Sequence, residues 1–281
     1  MAFLRVVEIF PPLFPAHSSS GKSLPVKEGV GRFIDEARII DKVADKILIA
    51  DVKNTKFLKF STLEAAMMLR QKLGIEAAPV IVLRDISRQK FLSSVLTGIS
   101  VGLKSMMIVW GDRYPSGTGS SNVRDFSSIA GALKQAAIIR KKARSSTTFL
   151  APVDIRRLAH PKGVALAKGR LRAGASYLLA QPPTGDAEAT LDRHLELLET
   201  AGLKSRVLLN VFPFRSSEDV KECERYFGWR LPKSVQVAAA RGPSALFEME
   251  RRVVERLREE GLPGVYLNAR GNPGTAKKLL A

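Results

Sequence analysis

The chain has 281 residues, 45% of them hydrophobic, and a formal net charge of +18 from 45 Lys and Arg against 27 Asp and Glu. That length suits one large α/β domain or two small ones, and no apolar run approaches the roughly 18 residues that a membrane-spanning helix needs. One cysteine, Cys223, excludes an internal disulfide, and three histidines with none at ligand spacing leave no zinc site or other metal centre to expect.

The first apolar run, residues 3–10 "FLRVVEIF", reads as a strand stopped by Pro11 and Pro12. Its position so near the N-terminus, with no secretory pattern ahead of it, predicts a cytoplasmic protein. Residues 16–25, "AHSSSGKSLP", lack the first glycine of a phosphate-binding loop and run into Leu24-Pro25, so a loop is expected and an NTPase is not. A helical pattern follows at 29–44, then a strand at 46–51. Ser61 to Glu64 spells a capping box, opening a helix over 62–73 that ends at Gly74. Further strands are predicted at 79–85, 105–110, 147–153, 176–181, 206–212 and 264–268. Helices are predicted at 88–101, 125–142, 162–173, 187–201, 218–227, 244–260 and after Pro273, with 229–242 as an inserted short helix. Strands that each lead into a helix, without a composition break, predict a single (β/α)8 TIM barrel over residues 1–281. A doubly wound open sheet is the alternative.

On a barrel the chemistry gathers at the C-terminal ends of the strands. The polar residues there are Glu8, Asp51, Asp85, Asp112, Gln181, Asn210 and Asn268. Alternation puts Leu4, Val6, Glu8 and Phe10 on one face of the first strand. A carboxyl buried among apolar groups is costly unless paired, so Glu8 is either a general acid or half of an ion pair. In "MIVWGDRYPSG", Gly111 permits a ligand or another backbone to come close, and Asp112 is either a site residue or a turn cap. The amide of Gln181 both donates and accepts, which suits the edge of a heterocycle. His160 stands where it can cap a helix. The basic clusters at 140–144 and 168–174 fall near helix C-termini, where cations offset the dipole. The charge favours anionic partners, but no basic stripe interleaved with aromatics points to nucleic acid.

Five segments in order resemble the methylenetetrahydrofolate reductase family. "VVEIFPP" resembles the "FEFFPP" with which that family opens, and "VGLKSMMIVWGDRYPSG" resembles its fourth strand and the Gly-Asp that ends it. "LRAGASYLLAQPP", "VLLNVFPF" and "GVYLNARGN" are similar to its sixth, seventh and eighth strands. The resemblance implies reduction of a folate-bound methylene group to methyl, with NAD(P)H reducing FAD before folate takes its place at the flavin. It implies Glu8 as general acid, Asp112 near flavin and pterin, and Gln181 and Phe212 as substrate contacts. Trp110, Gly111, His160 and Arg170 fall on its cofactor side. Several of these positions depart from the family. Trp110 replaces an Arg, Pro79 a His, and Gly163 an Asp, while Arg170 keeps the charge of a Lys; Tyr-Pro is reduced to Ala151-Pro152, and His160-Pro161 is displaced. Trp110 either stacks on a ring or fills the barrel. The altered cofactor side leaves open FAD held differently, another flavin, or direct hydride transfer from NAD(P)H. The alternatives from other classes are a polyanion-binding barrel without catalysis and a subunit, in a homo-oligomer or with another protein, that depends on its partner.

Overall fold

The computed structural model describes residues 2–15, 25–51, 57–84, 86–111, 125–186, 188–228, 230–269 and 271–281. The N-terminal part runs β1 (Leu4–Ile9), β2 (Leu13–Pro15), α1 (Val26–Asp41), β3 (Lys46–Ile49), β4 (Phe57–Lys59), α2 (Thr62–Leu73), β5 (Ala77–Val82), α3 (Arg88–Ser100) and β6 (Ser105–Val109). Then come α4 (Ile129–Lys142), β7 (Thr148–Asp154), a 3-10 turn (Ile155–Ala159), α5 (Pro161–Arg172), β8 (Ala175–Gln181), α6 (Ala189–Ala201) and β9 (Val207–Val211). The chain finishes with α7 (Ser217–Phe227), α8 (Lys233–Arg241), α9 (Pro243–Glu259), β10 (Gly264–Asn268) and α10 (Pro273–Leu280).

The first and last strands decide the architecture. β1 pairs in parallel with β3 on one side and β10 on the other, with Glu8 opposite Leu48 and Asn268. The sheet therefore closes in the order β1-β3-β5-β6-β7-β8-β9-β10, a TIM barrel and not an open sheet. β2 and β4 form a separate antiparallel ribbon. Each has only three residues, too few to show a period in sequence. α2 has the predicted cap, with Ser61 Oγ accepting from Glu64 N at 3.1 Å and Gly74 left-handed at φ 69°. α1 starts three residues earlier than its apolar pattern, because its first turn is exposed and leaves no pattern to read.

Alternation splits each barrel strand between two cores. Val7, Ile9, Ile47, Ile49 and Ile108 face outward to the helices, while Val6, Leu48, Met107, Leu179, Leu208 and Tyr266 fill the interior. Strand tilt makes alternate strands supply each interior layer. The register gives Leu48, Met107, Leu179 and Tyr266 as one layer, and Glu8, Val80, Pro152 and Asn210 as the next toward the mouth. Above them stand Ala50, Val109, Gln181 and Asn268.

The expected insertion after the seventh unit forms α8 and covers a satellite cluster of Phe212, Phe214, Val220, Cys223, Leu231, Val235 and Leu246. Glu250 of α9 is buried beside it and accepts from Phe214 N at 2.6 Å. Burial pushes its pKa up to about 9. The folded-state pKa lies above the unfolded one, so this carboxyl's contribution is fully present below the ordinary carboxyl range and drains away as pH rises toward 9. Glu250→Gln is therefore expected to raise the melting temperature more at pH 8 than at pH 5, as calorimetry at the two pH values would register; an equal change at both would mean that Glu250 is ionised in the fold. No helix among the described residues is long and apolar enough to cross a membrane.

Candidate active site

Glu8 is the only carboxylate in the interior layers named above, and neighbours across the closing seam hold it. The Tyr266 hydroxyl donates to Oε2 and the Asn268 amide donates to Oε1, both from β10. β1 and β10 are in register, so Asn268 lies directly opposite Glu8 and Tyr266 one inward position below. Hydrogen bonds to both oxygens fix the carboxyl's orientation.

Glu8 and Tyr266 line a cavity of about 540 Å³ at the C-terminal mouth of the barrel. One wall is apolar, made by Val80, Val82, Met107, Val109, Trp110 and Ile129. The adjoining wall, beyond β7, carries Arg156, Arg157 and Arg170 with Asp154. Asp154 pairs with Arg156 through two bonds of 3.0 Å, and also caps the 3-10 turn by accepting from Arg156 N at 3.1 Å. Arg170 reaches from α5 to donate to the Pro152 carbonyl. Burial, with the neighbouring Arg157, pulls its pKa down. Neither Arg157 nor Arg170 has a carboxylate partner in an ion pair among the described residues. This wall therefore carries an excess of positive charge facing the cavity, an arrangement that favours an anionic group.

Of the residues singled out in the sequence, Glu8, Asp51, Trp110, Gly111, Arg170 and Gln181 come together on this cavity. Asp51 is ion-paired to Lys59 of the small ribbon, which ties β4 to the mouth. Trp110 is half-buried, packs against the outer core and edges the cavity. Gly111 serves close backbone packing. Its φ is +88°, and a Cβ there would lie 2.3 Å from Val82 Cγ1. Arg84 fixes the same residue, with Nε and Nη2 each 3.1 Å from the Gly111 carbonyl oxygen. Gln181 ends β8, and the loop after it is pinned: Thr184 N donates to Asn210 O at 2.7 Å, and Asp186 accepts from Thr190 N at 2.8 Å and from the Ser234 hydroxyl.

Phe212, His160, Asn210 and Asn268 do not line the cavity. Phe212 follows the end of β9 and turns into the satellite cluster, its ring 6.0 Å from that of Phe214. His160 is exposed at the N-cap of α5, where its side chain makes no capping hydrogen bond. Asp85 and Asp112 lie outside the described residues, as do the 16–24 loop and residues 117–122. Tyr266, Asp154, Arg156 and Arg157 went unnoticed in the sequence. The signal for the last three was weak: β7 runs one residue further than its apolar stretch, to Asp154, and "DIRR" is the turn that follows it.

The fold and mouth define a (β/α)8 barrel with an acid at its floor and cations at one wall. No protein-family model and no curated protein matches the sequence. Among solved structures, the barrel is similar to an uncharacterized protein from Clostridium thermocellum that binds two copies of 5-methyl-5,6,7,8-tetrahydrofolic acid. The TM-score is 0.64 at 14% identity, over 99% of this chain and 95% of that one. An oxaloacetate acetylhydrolase matches at a TM-score of 0.49 and 13% identity, over 99% of this chain and 88% of that one. At these identities the likeness is one of fold.

Proposed function

We propose that this protein binds a reduced folate, or a related pterin carrier of one-carbon units, in the barrel mouth and reduces its methylene group to methyl. The reading is carried by the Glu8 carboxyl, held by Tyr266 and Asn268 at the floor of a mouth cavity. The 5-methyltetrahydrofolate bound by a protein of the same fold supports the substrate class. The arginine wall supports an anionic ligand, such as the glutamate tail of folate.

The chemistry asked of Glu8 is a proton transfer. Its carboxyl protonates N10 of the 5,10-methylene carrier, and the bond from the bridging carbon to N10 breaks. The electron pair leaves with N10, and an iminium remains at N5. A hydride then adds to the bridging carbon and gives the 5-methyl product. NAD(P)H is the source of the hydride and is oxidised to NAD(P)+. Glu8 regains its proton from solvent, which balances the step. Tyr266 and Asn268 keep the carboxyl aimed, and the apolar wall excludes water from the iminium.

A flavin bound at the same mouth would set its ring system on the apolar wall with Trp110, leaving Arg157 and Arg170 to the anionic tail of the carrier. FAD bound there would relay the hydride between NAD(P)H and the carrier. Incubation with FAD, gel filtration and a visible spectrum test this, with retained flavin absorption expected. A colourless protein that still oxidises NAD(P)H with the methylene carrier would remove the flavin and leave direct transfer. Calorimetric titration with 5-methyltetrahydrofolate tests the substrate class, and failure to bind it overturns the proposal. Tight, steeply salt-dependent binding to duplex DNA in that case would favour the polyanion-binding alternative.

A further inference from the structure

One polar side chain inside the barrel has no role in the reaction above. Asn210 is fully buried, and neither its amide nitrogen nor its amide oxygen has a hydrogen-bond partner among the described residues. Its strand neighbours Leu209 and Val211 face the outer core and Leu208 the interior, so alternation turns Asn210 inward. The register sets it in the same layer as Glu8, Val80 and Pro152, all of which line the cavity. Gln181 and Tyr266 flank it on the two adjoining strands, and both also line the cavity.

A buried amide without partners is costly to keep, because both its donor and its acceptor have lost water. A branched aliphatic side chain of the same shape would fill the position without that cost. Asn210 does not itself line the cavity, but it is level with residues that do, and an unpartnered amide so placed is accounted for when an entering ligand supplies the missing bonds. An asparagine amide presents N–H and C=O side by side, and so pairs with a ligand edge that presents the reverse. In a reduced pterin that edge is the lactam and amino part of the pyrimidine ring. The p-aminobenzoyl and glutamate parts of folate carry no such edge facing a barrel floor.

We propose that Asn210 is a specificity-determining residue that hydrogen-bonds the lactam edge of the carrier's heterocycle. This rests on the folate reading and adds the direction of binding. The heterocycle goes to the floor, at the level of Glu8, and the anionic tail lies outward against Arg157 and Arg170. Gln181 stands in the layer above, so the heterocycle reaches Asn210 past its exposed side chain.

The experiment compares the full-length wild type with Asn210→Leu and Asn210→Ala. Each is titrated calorimetrically with 5-methyltetrahydrofolate and with p-aminobenzoyl-glutamate, which has the tail and lacks the heterocycle. Melting temperatures are recorded alongside. Asn210→Leu is expected to weaken 5-methyltetrahydrofolate about 10- to 100-fold, the loss of one or two buried hydrogen bonds. The tail fragment should keep its affinity, and the melting temperature should stay level or rise, since an unpaired amide is gone. Asn210→Ala gives the same ligand discrimination if the larger side chain does not fold. Unchanged affinity for 5-methyltetrahydrofolate in both variants overturns the proposal while leaving the folate reading intact. So does a lowered melting temperature with equal loss for both probes, which marks an amide that holds a buried water and the fold. A wild type that binds no 5-methyltetrahydrofolate overturns the folate reading itself, and the proposal with it.

Discussion

Glu8→Gln is expected to lower the rate of methylene reduction by about 100- to 10,000-fold, the usual worth of a positioned acid. The substitution is conservative in every other respect. A glutamine keeps the volume, its oxygen accepts from Asn268, and its NH2 donates to the Tyr266 hydroxyl, which accepts as readily as it donates. What it lacks is a proton to give to N10. Affinity for the 5-methyl product should therefore change little. If flavin is bound, its reduction by NAD(P)H should continue, because that half-reaction needs no proton from Glu8. Stopped-flow measurement of the two half-reactions separates these outcomes. Equal loss of both, with a lowered melting temperature, would make Glu8 a structural carboxylate of the seam.

The second large effect is expected at Gly163. A Cβ there would lie 1.9 Å from the carbonyl oxygen of Arg157 and 2.5 Å from its carbon. Both are backbone atoms, so no rotamer relieves the clash. Gly163→Ala must push the 3-10 turn away from α5, at a cost of about 1–3 kcal/mol or more. Arg157 rides on that turn, so the anion-facing wall should be disturbed as well as the fold. Denaturant melts and titration with p-aminobenzoyl-glutamate would record both losses; an unaltered melt would show that the turn and helix are not so closely packed. The same contact accounts for a departure seen in the sequence. The reductases that this chain resembles carry an Asp at the matching position, and here the Arg157 carbonyl occupies that space. Gly163→Asp should consequently destabilise the protein and not restore a cofactor contact.

The barrel strands were legible because each is a short apolar run closed by turn residues, and local pattern suffices for that. The position of Glu8 was legible for the same reason, since alternation along one strand needs no partner. Its holders were not. Tyr266 is 258 positions away, and only closure of the sheet brings it to the carboxyl. Phe212 lies away from the cavity for a related reason. Sequence places it at the end of a barrel strand, yet the inserted α8 creates a second apolar cluster that draws the ring away from the mouth. His160 keeps the helix-start position that its Pro161 predicts, but a backbone position says nothing of where a side chain finds a partner. The arginine wall was hidden by a strand end one residue off, and by a cation-rich sequence in which no single arginine stands out.

Pairing of the first strand with the last has a consequence for biosynthesis. The proposed proton donor is made some 260 residues before the groups that orient it. A nascent chain emerging from the ribosome can form helices and partial sheet, but Glu8 meets Tyr266 and Asn268 only once β10 docks. Turnover would therefore report completed closure of the whole cylinder. A circular permutant opened between β9 and β10, with α10 joined to β1, would bring Glu8 and its holders together early in synthesis.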